Sequence, residues 1–407
     1  MNLILFDSVL RNNLYPLTLT RTTSDLRVGM VTIRQKWEKL LSLPSYSLTD
    51  FYLKPKFPLV VEDDNLFIDG SLLPTPDLVT QILKLSPGKA LAGKDTVLAF
   101  RIDRKELIIH EKAILNRKTT TSSPFFKKII PIDQETQYIQ INHLSDIFVH
   151  NKNAILYDFQ LFTKDKTSQV ASPTNLIIGN PNHLFIEEGV EMEGAIINVT
   201  EGYIYLGKNA KIMEGALLKG TVAIGEEATV MPYSRLSNGT TIGPHCKVGG
   251  EINNVVFMGY SNKAHDGFIG NAVIGEWCNI GAGSNFSNLK NNYGTVRQWF
   301  YPDHNYKNTG LQFCGIVMGD YSKCSIGSNF NTGTVVGIAC NLFGADFHDR
   351  YVKSFSFGPK DHQYLINKID KVIETASIVC QRRHLYLSHT DQQLLEYLFL
   401  LENLETE

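Results

Sequence analysis

The 407-residue sequence predicts an α/β domain, then a parallel β-helix built from six-residue repeats, then C-terminal helices. The main observation is an apolar residue at every sixth position from 206 to 248 and again from 274 to 286. With 43% hydrophobic residues overall, eight matches in a row arise by chance about once in a thousand at a given phase. The repeated positions are Leu206, Ile212, Leu218, Ile224, Val230, Leu236, Ile242 and Val248, then Ile274, Ile280 and Phe286.

A period of six is neither the period of a helix nor the alternation of a simple strand. It is the spacing of a hexapeptide β-helix, in which the apolar residue points into a prism and sharp corners join short strands. Glycine often follows the apolar residue, as at Gly207, Gly225 and Gly243, and it tolerates the backbone angles of such corners. An ordinary antiparallel β domain would have less regular turn signals. We therefore predict coils of about 18 residues, stacked about 4.8 Å apart.

The β-helix is predicted at 175–358, after a linker at 166–174 that is mostly polar. An aromatic and polar interruption at 287–313 has no six-residue period, and a long irregular insertion in a solenoid is often functional. Outside the main run, the apolar period is read at Ile178, Leu184, Val190 and Ile196 before it, and at Ile326, Thr332, Ile338 and Gly344 after the interruption.

The first 165 residues mix short apolar runs with helical spacing, which indicates an α/β domain. Strands are predicted at 3–6, 59–61, 66–68, 99–102 and 107–109. Helices are predicted from Ser24 or Asp25 as the N-cap to Leu40, at 77–86 and at 142–148. Residues 359–407 return to helical spacing and predict two helices, which would cover the strand edges at the end of the solenoid.

Composition limits the class of protein. The balance of 39 Lys plus Arg against 41 Asp plus Glu argues against nucleic acid as the main partner. No run of about 18 apolar residues predicts a membrane span, and the first residues lack the basic start of a signal peptide. The six cysteines form no C-x-x-C pair, so no zinc site is predicted. A reduced, cytoplasmic protein is the simplest interpretation.

The segment "NLYPLTLTR", Asn13–Arg21, resembles the start of sugar-phosphate nucleotidyltransferases. In that family a glycine-rich loop cradles the nucleotide phosphates. Here no glycine lies between Met1 and Val28, and Thr22–Thr23 stand where Pro-Lys is expected, so the resemblance implies a degenerate domain. Arginine suits phosphate oxygens, although these arginines could instead be solvated or paired with local carboxylates. The candidate nucleotide or phosphate ligands are Arg11, Arg21 and Arg27.

The segment "FIDGSLLP", Phe67–Pro74, resembles the strand that carries the metal-binding Asp of the same family. The resemblance implies Asp69 as a ligand of Mg²⁺. Asp63 and Asp64 are nearby acids that could contribute.

Four residues of the repeat region resemble the acetyltransferase half of the GlmU-type bifunctional family. They are Arg235, His265, Asn279 and Asn288, with spacings of 30, 14 and 9 that agree without a gap. The resemblance implies that Arg235 binds the sugar phosphate, His265 is the general base, Asn279 contacts the sugar and Asn288 lies beside the acetyl donor. It also implies left-handed winding of the β-helix, against the usual crossover rule, and assembly as a homotrimer.

The chemistry requires these groups. An attacking amine must lose a proton, and a histidine near neutral pKa can accept it. Backbone amides at Gly281, Ala282 and Gly283 could stabilise the oxyanion. Rival histidines are His304, in the interruption, and His348.

Two positions depart from the family pattern: Phe268 stands where it has Tyr, and Asn253 where it has a phosphate-binding Lys. Lys290, Arg297 or Lys307 of the interruption could supply the missing charge.

The predicted function is therefore N-acyl transfer from acetyl-CoA to an amino sugar phosphate or nucleotide sugar, in nucleotide-sugar biosynthesis. Two alternatives stay open. The N-terminal domain could be an active uridylyl or thymidylyl transferase that the β-helix only trimerises, or the chain could be a non-catalytic protein that binds sugar nucleotides.

Overall fold

The computed structural model describes residues 1–94, 96–110, 114, 122–123, 126–133, 135–361 and 363–404. The chain divides into two compact units. The first unit comprises Met1–Leu14, Thr18–Leu26 and Thr32–Asn142, and the second comprises Tyr15–Leu17, Arg27–Val31 and His143–Glu407.

The first unit is built on a six-stranded mixed sheet with the order β2-β1-β3-β6-β5-β7. Phe67 and Phe100 stack at 4.5 Å on neighbouring strands in its core. The strands are β1 (Asn2–Phe6), β2 (Ser45–Leu48), β3 (Asp64–Asp69), β4 (Leu72–Leu73), β5 (Lys89–Ala92), β6 (Val97–Asp103), β7 (Lys128–Pro131) and β8 (Ile139–Gln140). The helices are α1 (Ile33–Leu41), α2 (Pro76–Leu83) and α3 (Arg104–Ile109), with 3₁₀ turns at Val9–Leu14 and Thr23–Asp25.

The strands predicted at 3–6, 66–68 and 99–102 and the helix at 77–86 are confirmed. The strand predicted at 107–109 is wrong because Asp103 caps a helix there, accepting a hydrogen bond from the Glu106 amide. Residues 59–61 are irregular, so that strand prediction is also wrong. Helix α1 begins at Ile33 rather than near Ser24, because Thr32 and Gln35 form a capping box.

The second unit is a parallel β-helix with three faces, flanked by helices. In chain order its strands are β9 (Leu176–Ile178), β10 (Leu184–Ile186), β11 (Glu191–Met192), β12 (Ile196–Asn198), β13 (Ile204–Leu206), β14 (Lys211–Ile212), β15 (Leu217–Lys219), β16 (Val222–Ile224), β17 (Thr229–Val230), β18 (Arg235–Ser237), β19 (Thr240–Ile242), β20 (Lys247–Val248), β21 (Glu251–Gly259), β22 (Asn262–Lys263), β23 (Phe268–Glu276), β24 (Asn279–Ile280), β25 (Asn285–Phe286), β26 (Arg297–Phe300), β27 (Asn305–Asn308), β28 (Val317–Met318), β29 (Lys323–Cys324), β30 (Asn329–Phe330), β31 (Val335–Val336), β32 (Asn341–Leu342), β33 (Phe347–His348), β34 (Tyr351–Val352), β35 (Ser356–Lys360) and β36 (Gln363–Ile366). Its helices are α4 (Leu144–Thr163), α5 (Ile369–Gln381) and α6 (His389–Leu404), with 3₁₀ turns at Pro181–His183 and Tyr301–Asp303.

Successive coils stack strand on strand to form the three faces. The first face includes β16, β19, β28 and β31, and the second includes β15, β18, β25 and β30. The long strands β21 and β23 run across both faces. The third face follows the order β11-β14-β17-β20-β22-β24-β29-β32-β35-β36. The predicted parallel β-helix is therefore confirmed.

The apolar period marks the core of this prism. All eight predicted positions from Leu206 to Val248 are at most 2% exposed. After the interruption the predicted phase is wrong: Ile326 is 76% exposed, and the core residues are Met318, Cys324, Phe330, Val336 and Leu342. Phe286 and Met318 are 32 residues apart, which is not a multiple of six. The six-residue period before the insertion therefore does not predict which residues point inward after it. Before Leu206, Ile197 rather than Ile196 is fully buried.

Helix α4 packs against strands of the first face. It starts at Leu144 and runs to Thr163, far beyond the helix predicted at 142–148. The amide of Asn151 donates to the Gly239 carbonyl at 2.7 Å and to the Thr241 hydroxyl at 2.9 Å. These bonds tie the buried face of the helix to the coils.

The interruption at 287–313 is more regular than predicted. Strands β26 and β27 form an antiparallel hairpin, and Trp299 of that hairpin stacks on Tyr351 of a late coil at 4.1 Å.

At the end of the third face, β36 pairs antiparallel with β35 and covers its edge. The edge is therefore covered by a strand on this face, while the two predicted C-terminal helices are confirmed as α5 and α6. No helix among the described residues is long and apolar enough to cross a membrane.

Candidate functional site

His265 lies at a corner of the β-helix, between β22 on the third face and β23 on the second face. Its side chain is exposed and lines a cavity of about 640 Å³. Asn279, Gly281 and Ala282 line the same cavity. The structure therefore brings together the predicted base, the predicted sugar contact and part of the predicted oxyanion site.

A buried lysine supports this corner from inside the prism. Lys263 follows Val248 in the inward column of the third face and is only 1% exposed. Its Nζ lies 2.7 Å from the carbonyl oxygen of His265, 3.2 Å from that of Gly249 and 3.3 Å from that of Asp266. An ammonium has three donors, so these three carbonyls satisfy it. Burial lowers the pKa of Lys263 to about 8.

The predicted oxyanion donors differ in availability. The Gly281 amide donates to the Cys324 carbonyl at 3.1 Å, and the Gly283 amide donates to the Asp266 carbonyl at 3.0 Å. The Ala282 amide makes no hydrogen bond to any residue that the structure describes. Of the three predicted amides, the Ala282 N–H is therefore the one free to approach an oxyanion.

Arg235 lies on the second face, on the other side of the His265 corner from Asn279. Arg235, Glu251 and Phe268 stack in successive coils, and the Arg235 guanidinium pairs with the Glu251 carboxylate at 3.2 Å. Asn253 lies two residues along the same strand, beside Ser237. Neither Arg235, Phe268 nor Asn253 lines the His265 cavity.

Asn288 is also outside that cavity. Its amide nitrogen donates to the Asn271 side-chain oxygen at 2.8 Å. A Cβ at Gly270 would lie 2.6 Å from this nitrogen, so glycine there permits the close approach.

The rival histidines have other environments. His348 occupies the inward column of the second face, is 2% exposed and stacks on Phe330 at 4.8 Å. Its Nδ1 lies 3.2 Å from the Tyr364 hydroxyl, and burial lowers its pKa. His304 is exposed at the tip of the insertion hairpin. Neither lines the cavity that contains His265.

The basic residues of the insertion have local partners instead. Lys290 Nζ donates to the Thr295 carbonyl at 2.7 Å, Arg297 donates to the Tyr306 carbonyl at 2.8 Å, and Lys307 pairs with Asp303. The cavity is lined instead by Lys247, Lys323, Arg382 and Arg383, which sequence reasoning missed. A partial signal existed, because Lys247 and Lys323 each directly precede an inward residue of the third face.

The first unit contains Arg11, whose predicted phosphate role the structure argues against. Arg11 is 0% exposed, its Nε lies 3.3 Å from Asp7 Oδ2 and its Nη1 pairs with Asp50. Arg21 is also buried in this unit, at 5% exposure. The alternative left open by the sequence, pairing with local carboxylates, holds for Arg11.

Arg27 belongs to the second unit and binds the coils. Its Nε donates to the Met258 carbonyl at 2.9 Å and its Nη1 to the Met30 carbonyl at 2.8 Å. These bonds give Arg27 a structural role, which argues against the predicted contact with phosphate.

Asp69 ends strand β3, and its environment does not form a preassembled Mg²⁺ site. Oδ1 accepts hydrogen bonds from the amide and the hydroxyl of Ser71, and Oδ2 accepts from Gln140. Burial raises the pKa of Asp69 to about 6. Asp63 and Asp64 lie at the opposite end of β3 beside Arg104 and Arg101, and the described residues contain no cluster of three metal-binding side chains.

Residues 3–167 match the family described as sugar nucleotidyl transferase. A bifunctional protein GlmU from Rippkaea orientalis is 27% identical over 182 residues, which cover 39% of this chain and 38% of that protein. A GlmU from Methanocaldococcus jannaschii is 28% identical over 322 residues, which cover 67% of this chain and 75% of that protein.

The chain is similar to GlmU proteins over these stretches. It spans about two fifths of the length of the Rippkaea protein. Among solved structures, the polySia-specific acetyltransferase NeuO is 11% identical, with 51% of this chain and 94% of that chain covered and a TM-score of 0.28.

Proposed function

We propose that this GlmU-like chain transfers an acyl group from acetyl-CoA to the amine of an amino sugar phosphate or nucleotide sugar. The observation that carries the proposal is the cavity at the corner of the β-helix, which His265, Asn279 and Ala282 line together. The sugar nucleotidyl transferase match of residues 3–167 supports a fused domain that acts on the same class of sugars.

The proposed reaction needs one base and one oxyanion donor. The amine nitrogen attacks the thioester carbonyl carbon, and His265 accepts the proton that the nitrogen loses. The Ala282 amide donates to the oxygen that becomes negative. When the C–S bond breaks, the imidazolium returns its proton to the departing thiolate, and Asn279 holds the sugar.

Arg235 is the proposed phosphate contact of the acceptor, with Phe268 and Asn253 beside it. Glu251 already pairs with Arg235, so a phosphate would have to displace that carboxylate. An exposed ion pair of this kind contributes about 1 kcal/mol or less to stability, so a phosphate dianion can displace the Glu251 carboxylate. Asn288 is proposed to lie beside the acyl donor.

The assembly we propose is a homotrimer in the cytoplasm, without nucleic acid as a partner. A heterologous contact that closes on itself produces such a ring. The match of residues 3–167 also favours a second activity, nucleotidyl transfer to a sugar 1-phosphate. Mg²⁺ would then depend on the nucleotide phosphates for most of its ligands, because Mg²⁺ commonly uses one or two carboxylates plus substrate phosphates.

Two assays of the purified full-length chain test this proposal. Release of free CoA is measured with acetyl-CoA and glucosamine 1-phosphate or UDP-linked amino sugars, and release of pyrophosphate is measured with UTP or dTTP and hexose 1-phosphates. CoA release that depends on the amine supports acyl transfer. Pyrophosphate release alone would favour the nucleotidyltransferase, and neither activity would favour a non-catalytic protein that binds sugar nucleotides.

A further inference from the structure

Four basic side chains surround the His265 cavity, and we name them the basic cluster: Lys247, Lys323, Arg382 and Arg383. None of the four makes an ion pair with any residue in the described part of the chain. The side chains that line the cavity include no Asp or Glu. The cavity therefore carries a positive charge that the protein does not neutralise locally.

The basic cluster joins two separate parts of the chain. Lys247, Asn262, Asn279 and Lys323 occupy one outward column of the third face, in successive coils. Arg382 and Arg383 directly follow helix α5, and Arg383 Nη2 donates to the Asn262 side-chain oxygen at 2.9 Å. This bond orients one guanidinium along the wall of the cavity.

Lys323 is a partly buried member of the cluster. Its Nζ donates to the carbonyl of Tyr321 at 2.9 Å, and burial lowers its pKa. A desolvated cation is costly unless an anion accompanies it. The dipole of α5 would explain two arginines at its carboxyl end, but it does not explain Lys247 and Lys323 on the opposite wall.

We propose that the basic cluster binds the phosphate or pyrophosphate group of a substrate, next to the base His265. Guanidinium forks and an ammonium are the groups that hold phosphate oxygens in proteins. Lys247 and Lys323 are three coils apart, about 14 Å along the face, so they lie at opposite ends of this outward column. The inference rests on the proposed function, because both CoA and a nucleotide-sugar acceptor carry this group.

Calorimetric binding of CoA and of UDP to the full-length protein tests the inference and distinguishes the two sources. Arg383→Gln and Lys323→Met are expected to raise the Kd of at least one probe about 10- to 100-fold, since each removes charge-assisted hydrogen bonds. Exposed Arg382→Gln is a third variant with little effect on packing. Lys211→Met is the matched control, because Lys211 is an exposed lysine of the third face that lies outside the cavity.

Loss of CoA binding alone assigns the cluster to the acyl donor, and loss of UDP binding alone assigns it to the acceptor. The inference is overturned if the wild type binds neither probe, or if the variants bind both probes as the wild type does. His265→Ala separates the inference from the proposed function, because that variant should bind the probe normally while acyl transfer fails. If the wild type shows no acyl transfer but the cluster variants still bind the probe more weakly than the wild type, the proposed function is rejected and the anion site is retained.

Discussion

The Nζ atom of Lys263 lies 2.7 Å from the carbonyl oxygen of His265, although Lys263 points into the core of the β-helix. The same ammonium contacts the carbonyls of Gly249 and Asp266. A single buried charge thus holds three backbone groups around the corner that presents the proposed base. A side chain packed in the core of the β-helix therefore fixes the backbone that carries His265 at the surface.

Lys263→Met should lower kcat for acyl transfer by about tenfold or more, while the KM for acetyl-CoA changes less. The methionine keeps the volume of the lysine, but three carbonyls lose a donor, and the His265 corner loses its support. Steady-state kinetics together with circular dichroism measure the effect. Lys211→Met is the control, because Lys211 makes an exposed pair with Glu191 on the same face. Equal kcat in both variants would show that Lys263 does not position the base.

His265→Ala should lower kcat by about 10²- to 10⁴-fold, the usual contribution of a general base. The side chain is exposed, so the fold and the stability of the variant should remain those of the wild type. Acyl transfer with the true acceptor is the measurement. If His304→Ala abolishes transfer and His265→Ala leaves it intact, the insertion hairpin and not the corner carries the chemistry.

His348 should make stability fall with acid. Burial lowers its folded pKa below the unfolded value of about 6.5, so the unfolded state binds more protons between those two values. Its contribution to stability is therefore complete above about pH 6.5 and is lost as the pH falls through the folded pKa. Urea midpoints from pH 8 to pH 5 should fall less steeply in His348→Leu than in the wild type.

Asp69 also titrates in this pH range, so the pH dependence of stability is compared between variants and the wild type. Burial raises its pKa to about 6, so its contribution has the opposite sign and is lost as the pH rises through that value. His304→Leu, at an exposed histidine, is the control for the His348 experiment. A pH dependence unchanged in His348→Leu would contradict the prediction.

Light scattering at micromolar concentration should return three times the mass of one chain. The prediction follows from the proposed packing of β-helix faces around a threefold axis. A monomer at that concentration is the contrary result, and it would leave Arg235 and the His265 cavity on separate faces of one chain.

Nucleotidyl transfer should be weak with UTP or dTTP and common hexose 1-phosphates. The glycine-rich loop is missing from the sequence, and Arg11 is committed to Asp7 and Asp50. Positioning of phosphates supplies most of the catalysis in such displacements, so lost donors have large effects. Rapid pyrophosphate release would contradict this. Arg11→Met should also lower the free energy of unfolding by about 3–5 kcal/mol, because it removes the buried cation that pairs with the buried Asp7 carboxylate.

The six-residue period by itself determined the architecture of the second unit. Apolar residues repeated at that spacing have one way to be buried together, which is a prism of stacked coils, and Leu206 to Val248 all point into it. The resemblance to the GlmU-type family at His265 and Asn279 also pointed to the corner that these two residues share with the cavity. These features depend on short-range pattern, which the sequence contains directly.

The tertiary structure decided what pattern could not. The phase after the insertion depends on how 287–313 folds, and the inward Lys263 and His348 are polar residues in apolar columns that only packing reveals. Arg383 reaches Asn262 across 121 positions of the chain, so the basic cluster exists only once α5 lies on the third face. An electrostatic site forms where charged side chains lie close together in space, whereas a repeat in the sequence records only separation along the chain.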